Sequence, residues 1–290
     1  MKFDYNETLE QAIKRNVHDA LMEDIGIMDW TAQLVPASQQ VKAHVIVKDN
    51  GAVLCGQTWF DACIKALDPQ AVIHWQYVDG DEMAVMSSVC EITANARALL
   101  SAERPALNFL QTLSWTATST KAFVQAISDI KVNPQGCKIL ETRKTLPGLR
   151  QAQKYATRTG GGFNHRLALW DGILIKENHI EAAGNITTAL KNAQELGSSV
   201  GIQIEVESLD EMQEALAAGA KHILLDDFSL AEMRQAVMIN AGRAELEVSG
   251  GVDLAKVREI AETGIDRISI GTLTKDVQAI DFSMRILERL

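Results

Sequence analysis

The sequence of 290 residues predicts an α/β protein, with an incomplete β/α barrel as C-terminal domain and an α+β domain, an antiparallel sheet plus helices, before it. The length suggests about two domains. In roughly the first 100 positions, apolar and polar residues alternate as in half-buried antiparallel strands. From Cys137 onward, apolar runs alternate with helical patterns, which indicates repeated βα units and a parallel sheet.

The composition is that of an ordinary globular protein. Hydrophobic residues make up 47% of the chain, and only five residues are proline. The net charge of −10 argues against a nucleic-acid partner. The four cysteines show no CxxC spacing, which suggests reduced thiols, and we find neither an export signal nor a membrane-spanning run of about 18 apolar residues. We therefore expect a cytoplasmic protein without a membrane partner.

The α+β domain is predicted over residues 1–104, with helices packed on one face of its sheet. Asn50-Gly51, between two short apolar runs, is a strong hairpin signal. The predicted elements are a helix at 7–23, strands at 41–47 and 52–55, a helix at 57–67, and strands at 72–78 and 85–93.

Residues 105–136 are predicted to be an inter-domain helix and linker. Proline suits the first turn of a helix, so the helix is expected to begin at about Pro105 and to end near Ser128. The barrel domain is predicted over 137–290, and its last helix is expected to pack back on the N-terminal domain.

Six apolar runs are the predicted strands of the barrel. They lie at 137–141, 172–176, 201–206, 222–226, 245–249 and 267–270. No GxGxxG motif follows a strand, which weakens the alternative of an open, dinucleotide-binding sheet.

A positively charged segment, residues 141–179, stands out in this acidic chain. It contains seven of the 28 Lys and Arg residues but only three of the 38 Asp and Glu residues. A local excess of positive charge predicts an anionic small ligand. Three consecutive glycines at 160–162 would let backbone N–H groups approach phosphate or carboxylate groups. The helical stripe of Arg150, Lys154 and Arg158 is interpreted instead as a solvated face.

Charged residues and glycines follow the predicted strands. Because barrel enzymes build their sites at the carboxyl ends of the strands, we expect these residues to converge on one mouth. They are Arg143 and Lys144, Lys176, Glu205 and Glu207, Asp226 and Asp227, the Ser249-Gly250-Gly251 turn, and Ser269 with Gly271 and Thr272.

The late serine and glycine turns of this mouth predict a phosphate-binding site. Glu205 and Asp226 could hold Mg²⁺ or stabilise positive charge on a sugar, or they could form a structural link to Lys or Arg of the same mouth. No HExxH motif or cysteine pair indicates zinc.

Seven motifs occur in order: ERPALNFLQTLS, ETRKTLPGLR, GGGFNHR, LIKENHI, IEVE, LLDD and SGG. Together they resemble the quinolinate phosphoribosyltransferase family, also called nicotinate-nucleotide pyrophosphorylase (carboxylating). The match runs from about residue 100 to 271 and more loosely through the N-terminal domain. The resemblance implies a Mg²⁺-dependent transferase that converts quinolinate and phosphoribosyl pyrophosphate to nicotinate mononucleotide, pyrophosphate and carbon dioxide, in NAD biosynthesis. It also implies a homodimer with shared active sites.

The resemblance implies a role for each motif residue. Those for the two carboxylates of quinolinate are Arg143, Arg166 and Lys176, with His165 nearby and Arg104 from the other subunit. Those for phosphoribosyl pyrophosphate are Lys144 and His179, then Glu205 and Asp226 at the ribose and Mg²⁺, and Ser249, Gly250, Gly251 and Gly271 at the 5′-phosphate. Lys144, Lys176, Glu205 and Asp226 are the implied catalytic set.

The sequence departs from the family pattern at Trp115, at Trp170 and in the length of 129–137. These departures concern packing more than the implied cations. Three other interpretations remain open: a paralogue acting on another pyridine carboxylate, an aldolase-type barrel with Lys176 as a Schiff-base lysine, and a non-catalytic anion-binding barrel.

Overall fold

The computed structural model describes residues 5–290, which form two compact units. The first comprises 5–119, Thr145–Gly161 and Asp276–Leu290; the second comprises Thr120–Lys144 and Gly162–Lys275. These units differ from the sequence-based ranges, because two later segments of the chain return to the first unit. Residues 1–4, which belong to the expected N-terminal domain and bear on the expected lack of an export signal, lie outside the described residues.

The helices of the described chain mostly occupy the predicted positions. In chain order they are α1 (Leu9–Ile25), α2 (Gln57–Leu67), α3 (Ala96–Ala126), α4 (Arg150–Thr159), α5 (Glu177–Ala183), α6 (Ile186–Glu195), α7 (Leu209–Ala217), α8 (Leu230–Asn240), α9 (Val257–Ala261) and α10 (Thr272–Lys275). A short 3₁₀ helix spans Ala32–Leu34. No helix among residues 5–290 combines the length and apolarity needed to cross a membrane.

The strands form one antiparallel and one parallel sheet. In chain order they are β1 (Gln40–Val47), β2 (Val72–Trp75), β3 (Ser88–Asn95), β4 (Lys138–Leu140), β5 (Ile173–Ile175), β6 (Ile202–Val206), β7 (His222–Asp226), β8 (Glu245–Ser249), β9 (Arg267–Ser269) and β10 (Phe282–Arg289).

The antiparallel sheet of the first unit has the order β10-β1-β3-β2. The predicted last helix is wrong: this segment is β10, which pairs with β1. The sequence FSMRILER alternates apolar and polar residues with the period of a strand, and it buries Phe282 in the core of the first unit.

The predicted hairpin at Asn50-Gly51 is also wrong. Residues 52–55 form no strand apart from a single bridge between Val53 and Glu82, because β1 has β3 on one edge and β10 on the other. Their buried backbone is satisfied from α3, where the hydroxyl oxygens of Thr118 and Ser114 accept hydrogen bonds from N–H groups of 53 and 55.

Helix α3 begins at Ala96, nine residues before the predicted start, so Pro105 lies inside it. The start is set by Asn95, whose side-chain oxygen accepts hydrogen bonds from the N–H groups of Arg97 (3.0 Å) and Ala98 (3.2 Å). Asparagine is a favoured cap at this position, so the prediction relied on the wrong helix-start signal.

The parallel sheet of the second unit has the order β4-β9-β8-β7-β6-β5, and the six strands coincide with the six predicted runs. The end strands β4 and β5 are not paired with each other. Residues 163–166 lie beside β4, where the N–H of Phe163 donates to the carbonyl of Ile139 at 2.8 Å. The sheet is thus an incomplete barrel, as predicted.

The two faces of this sheet have opposite character. Alternate strand residues such as Ile204, Leu225 and Val248 are buried and belong to the hydrophobic cluster that includes the surrounding helices. The strand register places Gln203, Glu205, Asp226, Glu247 and Ser249 on the other face. The sheet therefore curves around a polar interior, and its apolar side carries the helices.

Candidate active site at the carboxyl ends of the parallel strands

The structure places every implied site residue except Arg104 in the second unit, at or just beyond the carboxyl ends of the parallel strands or in 162–166. Arg104 is an exposed residue of α3 in the first unit. Its guanidinium group forms no hydrogen bond or ion pair with another of the described residues, 5–290.

Lys176 and Glu205 form a tight ion pair between the ends of β5 and β6. The Lys176 Nζ lies 2.7 Å and 2.5 Å from the two oxygens of Glu205. The Glu205 side chain is 8% exposed and that of Lys176 is 43% exposed, so the anion is buried and the cation reaches solvent. Of the alternatives for Glu205, the structure therefore contains the link to a lysine of the mouth. A Schiff-base lysine is usually activated by an apolar pocket or a neighbouring cation, whereas the neighbour of Lys176 is a carboxylate.

Asp226 lies on the same interior face, at the end of β7. Burial, together with the negative charges of Glu205 and Asp227, raises the pKa of its carboxyl group, although Lys176 partly offsets this. No hydrogen bond or ion pair links Asp226 to a cation among residues 5–290. This concentration of negative charge attracts a cation or a developing positive charge.

Arg143 and Arg166 bring two positive charges close to each other in the second unit. Burial, followed by the positive charge of Arg143, lowers the pKa of the Arg166 guanidinium. One nitrogen of Arg166 is fixed by donating to the carbonyl of Gly172 at 3.0 Å. The two guanidinium groups repel each other, and an anion with two carboxylates can offset both positive charges. Such an anion should therefore bind here more tightly than a monocarboxylate.

His165 stands next to Arg166, and its hydrogen bonds favour one tautomer. Its Nδ1 accepts the N–H of Arg166 at 2.7 Å, so the ring proton is on Nε2, which lies 3.0 Å from the Oε1 of Gln203. The N–H of His165 also donates to Glu141 at 3.0 Å. Residues 163–166 therefore lie in the gap between the end strands β4 and β5, where a further strand would close the barrel.

Two glycine-containing turns follow β8 and β9. Gly250 and Gly251 have φ of 106° and 53°, and a Cβ on Gly250 would collide with the carboxylate of Asp227. After β9, a Cβ on Gly271 would come within 3.2 Å of the Lys144 side chain, and Thr274 donates to the carbonyl of Lys144 at 2.8 Å. The turn after β9 thus lies against Lys144, and backbone N–H groups of glycine turns together with a lysine suit a phosphate group.

His179 caps helix α5, because its Nδ1 accepts the N–H of Lys176 at 3.0 Å. Its ring is exposed, so the second nitrogen remains accessible.

The interpretation of the α4 stripe as a solvated face is wrong for Lys154. Arg158 is exposed and Arg150 is half-buried, but Lys154 is fully buried. Charge at helical spacing indicates one face of a helix, but it does not indicate which face points outward.

Sequence reasoning did not single out three buried residues of the interior. Glu141, Gln203 and Glu247 have exposures of 0%, 9% and 1%. Their signal was the strand alternation itself, since Gln203 shares the inward face with Glu205, and Glu247 shares it with Ser249. Polar residues at inward positions of a predicted barrel strand were the pattern to follow.

No group of three or more His, Cys, Asp or Glu side chains within residues 5–290 is arranged to hold a metal ion. Glu205 and Asp226 offer two carboxylates on neighbouring strands. Mg²⁺ is commonly bound by one or two carboxylates together with substrate phosphate oxygens and water, so this donor set fits Mg²⁺ that arrives with a polyphosphate.

The chain matches two sequence families along most of its length. Residues 29–114 match the quinolinate phosphoribosyl transferase N-terminal domain, and residues 116–285 match the C-terminal domain.

Curated relatives and solved structures agree with this match. The probable nicotinate-nucleotide pyrophosphorylase [carboxylating] of Bacillus subtilis is 38% identical over 277 residues, which cover 94% of this chain and 93% of the relative. That of Synechocystis is 38% identical over 92% of this chain and 90% of its own length. The structure of nicotinate-nucleotide pyrophosphorylase from Francisella tularensis has a TM-score of 0.91 at 41% identity, covering 99% of this chain and 100% of the other.

Proposed function

Because the chain belongs to the quinolinate phosphoribosyltransferase family, we propose that it transfers the phosphoribosyl group of phosphoribosyl pyrophosphate to quinolinate. The products are nicotinate mononucleotide, pyrophosphate and carbon dioxide, so the enzyme is a decarboxylating pentosyltransferase of NAD biosynthesis. The proposal is carried by two observations within the second unit: the interacting guanidinium groups of Arg143 and Arg166, and the Lys176–Glu205 ion pair at the ends of β5 and β6.

Quinolinate is bound by the positive side of the site. Arg143 and Arg166 bind its carboxylates, Lys176 adds a third positive charge, and His165 lies beside them. A monocarboxylate needs fewer cations, so this arrangement favours the dicarboxylate. When quinolinate binds, Lys176 shares its ammonium group between Glu205 and the ligand.

Phosphoribosyl pyrophosphate is bound by the turns after the late strands. Ser249, Gly250, Gly251 and Gly271 receive its 5′-phosphate, and Lys144 and His179 bind its other phosphate oxygens. Glu205 and Asp226 bind the ribose, and their two carboxylates would hold Mg²⁺ together with the substrate. When bound, Mg²⁺ offsets the negative charge that the leaving pyrophosphate gains.

The chemistry follows from these positions. As the bond from ribose C1 to pyrophosphate breaks, its electron pair leaves with the pyrophosphate and positive charge develops on the sugar. The carboxylates of Glu205 and Asp226 stabilise that charge, and the cations hold quinolinate with its ring nitrogen directed at C1. The nitrogen lone pair forms the new bond. The carboxylate beside the now cationic nitrogen then departs as carbon dioxide, and its bonding pair remains on the ring carbon until a proton is taken up.

We further expect a homodimer in which Arg104 of each subunit enters the active site of the other. An exposed arginine without an ion pair in the described part of its own chain supports this assignment. The cysteine pattern supports a cytoplasmic location.

The proposal is tested by pyrophosphate release from phosphoribosyl pyrophosphate, with quinolinate compared with nicotinate at equal concentrations. Quinolinate should support turnover and nicotinate should not; equal turnover would refute the proposed substrate. Arg143→Ala is expected to lose about 2–5 kcal/mol of quinolinate binding, the usual cost of removing one partner of a buried charge pair. Near-native affinity would exclude Arg143 from the site.

A further inference from the structure

A chain of buried hydrogen bonds lies in the interior of the barrel, beneath His165. The Nε2 of Gln203 donates to the Oε2 of Glu247 at 3.0 Å, and the Oε1 of Gln203 lies 3.0 Å from the Nε2 of His165. The second oxygen of Glu247 is 3.5 Å from the same ring nitrogen. Glu247 belongs to β8 and Gln203 to β6, so the two side chains meet across β7. In a flat sheet these strands would be roughly 10 Å apart, which shows that the curvature of the barrel creates this contact.

The direction of every hydrogen bond in this chain is set by Glu247. A carboxylate only accepts hydrogen bonds, so Gln203 must turn its amide nitrogen towards Glu247 and its oxygen towards His165. The ring must then present a protonated Nε2 to Gln203. This is the tautomer that leaves Nδ1 free of a proton and able to accept the N–H of Arg166.

The hydrogen bonds of His165 and Arg166 reach both sides of the gap between the end strands. The N–H of His165 is held by Glu141 on the β4 side, and the Arg166 side chain is held by the carbonyl of Gly172, just before β5. The Nδ1 atom of the imidazole accepts the N–H of Arg166 and so holds this peptide group in place. A ring in the other tautomer would present an N–H to the N–H of Arg166 and displace that peptide.

We propose that Glu247, acting through Gln203, is a positioning residue that fixes the tautomer of His165 and thereby the Arg166 peptide for binding of the dicarboxylate substrate. This role rests on the proposed function. Glu247 itself does not touch the substrate, since it is 1% exposed and lies behind Gln203 and His165.

The informative variant is Glu247→Gln, which keeps the shape of the side chain and removes its charge. A carboxamide at 247 can donate to Gln203, which is then free to turn its own nitrogen towards the protonated Nε2 of His165. The His165 ring then either loses the hydrogen bond from its Nε2 to Gln203 or moves its proton to Nδ1. Glu245→Gln is the matched control, because Glu245 lies on the same strand and face but contacts Arg267, His222 and Lys138 instead.

Two readouts separate positioning from general stability. The first is the tautomer of His165, read from the two ring-nitrogen shifts in protein labelled with ¹⁵N-histidine; the chain has only six histidines, and His165→Asn identifies the signal. The second is the dissociation constant for quinolinate and, separately, for phosphoribosyl pyrophosphate, both from calorimetry.

Wild-type protein should show His165 protonated on Nε2. In Glu247→Gln a second tautomer should appear and the quinolinate Kd should rise roughly tenfold, the factor expected for losing one buried hydrogen bond, with the phosphoribosyl pyrophosphate Kd unchanged. Glu245→Gln should leave both readouts as in the wild type.

Unchanged ring shifts and quinolinate affinity in folded Glu247→Gln would overturn the proposal. If that variant does not fold, the wild-type spectrum still tests the proposal. A His165 ring protonated on Nδ1 could not accept the N–H of Arg166, and this result would also overturn the proposal. If the wild-type protein shows the expected tautomer but does not bind quinolinate, both the proposed function and the positioning role are refuted. If the wild-type protein binds quinolinate but Glu247→Gln changes neither readout, only the positioning role is refuted.

Discussion

The Lys176–Glu205 pair should be energetically asymmetric, because its two members differ in burial. Lys176→Met leaves a carboxylate that is 8% exposed, next to Asp226, without its cation. Glu205→Gln leaves a lysine whose side chain is 43% exposed and can be hydrated. Breaking a fully buried pair costs about 3–5 kcal/mol, whereas exposed pairs contribute about 0–1 kcal/mol.

We therefore expect Lys176→Met to lower the free energy of unfolding by roughly 2–3 kcal/mol and Glu205→Gln by roughly 1 kcal/mol. The double variant should be more stable than Lys176→Met alone, since it leaves no uncompensated charge. The assay is urea denaturation at neutral pH. The control is a double-mutant cycle on Lys191 and Glu195, an exposed i,i+4 pair on one helix. Its coupling free energy should be near zero. Equal losses in the two single variants, or a double variant as unstable as Lys176→Met, would refute the reasoning.

Three further predictions concern the charge, the turns and the assembly. Since the folded-state pKa of Asp226 is raised, this carboxyl group stabilises the fold below its unfolded-state pKa and loses that contribution as the pH rises through the folded value. Asp226→Asn should therefore unfold at higher urea than wild type at neutral pH, while turnover falls more than quinolinate binding; lower stability would contradict this. Gly250→Ala should cost about 1–3 kcal/mol of stability and weaken phosphoribosyl pyrophosphate binding, because the new methyl group meets Asp227 at positive φ. Inactive Arg104→Ala and Lys176→Ala dimers, mixed equally and exchanged, should regain roughly a quarter of wild-type activity, since half the dimers carry one intact site; no recovery after proven exchange would place Arg104 within its own subunit.

The barrel strands were predictable because each is a short apolar run between helical patterns. The positions of Arg143, Lys176, Glu205 and Asp226 followed from the same pattern, since a side chain at the carboxyl end of a parallel strand reaches the mouth regardless of the connecting helices.

The antiparallel sheet was less predictable, because its pairing depends on distant segments. β10 joins β1 from the other end of the chain, and this occupies the edge that a hairpin at Asn50-Gly51 would have used. A local turn signal carries no information about that competition.

The interior hydrogen bonds were also beyond local reasoning. Gln203 and Glu247 lie on strands that are not neighbours, and they meet only because the sheet curves. Lys154 was misjudged for a related reason, since the direction of a helix face depends on what packs against it.

The central claim is that one site joins quinolinate to the phosphoribosyl group and removes one carboxylate. The most direct measurement supplies the purified protein with phosphoribosyl pyrophosphate, Mg²⁺ and quinolinate labelled in its 2-carboxyl group, and follows all three products. We expect labelled carbon dioxide, pyrophosphate and nicotinate mononucleotide in equal amounts, with none formed when Mg²⁺ is chelated or when nicotinate replaces quinolinate. Pyrophosphate release without labelled carbon dioxide, or equal release with nicotinate, would contradict the claim.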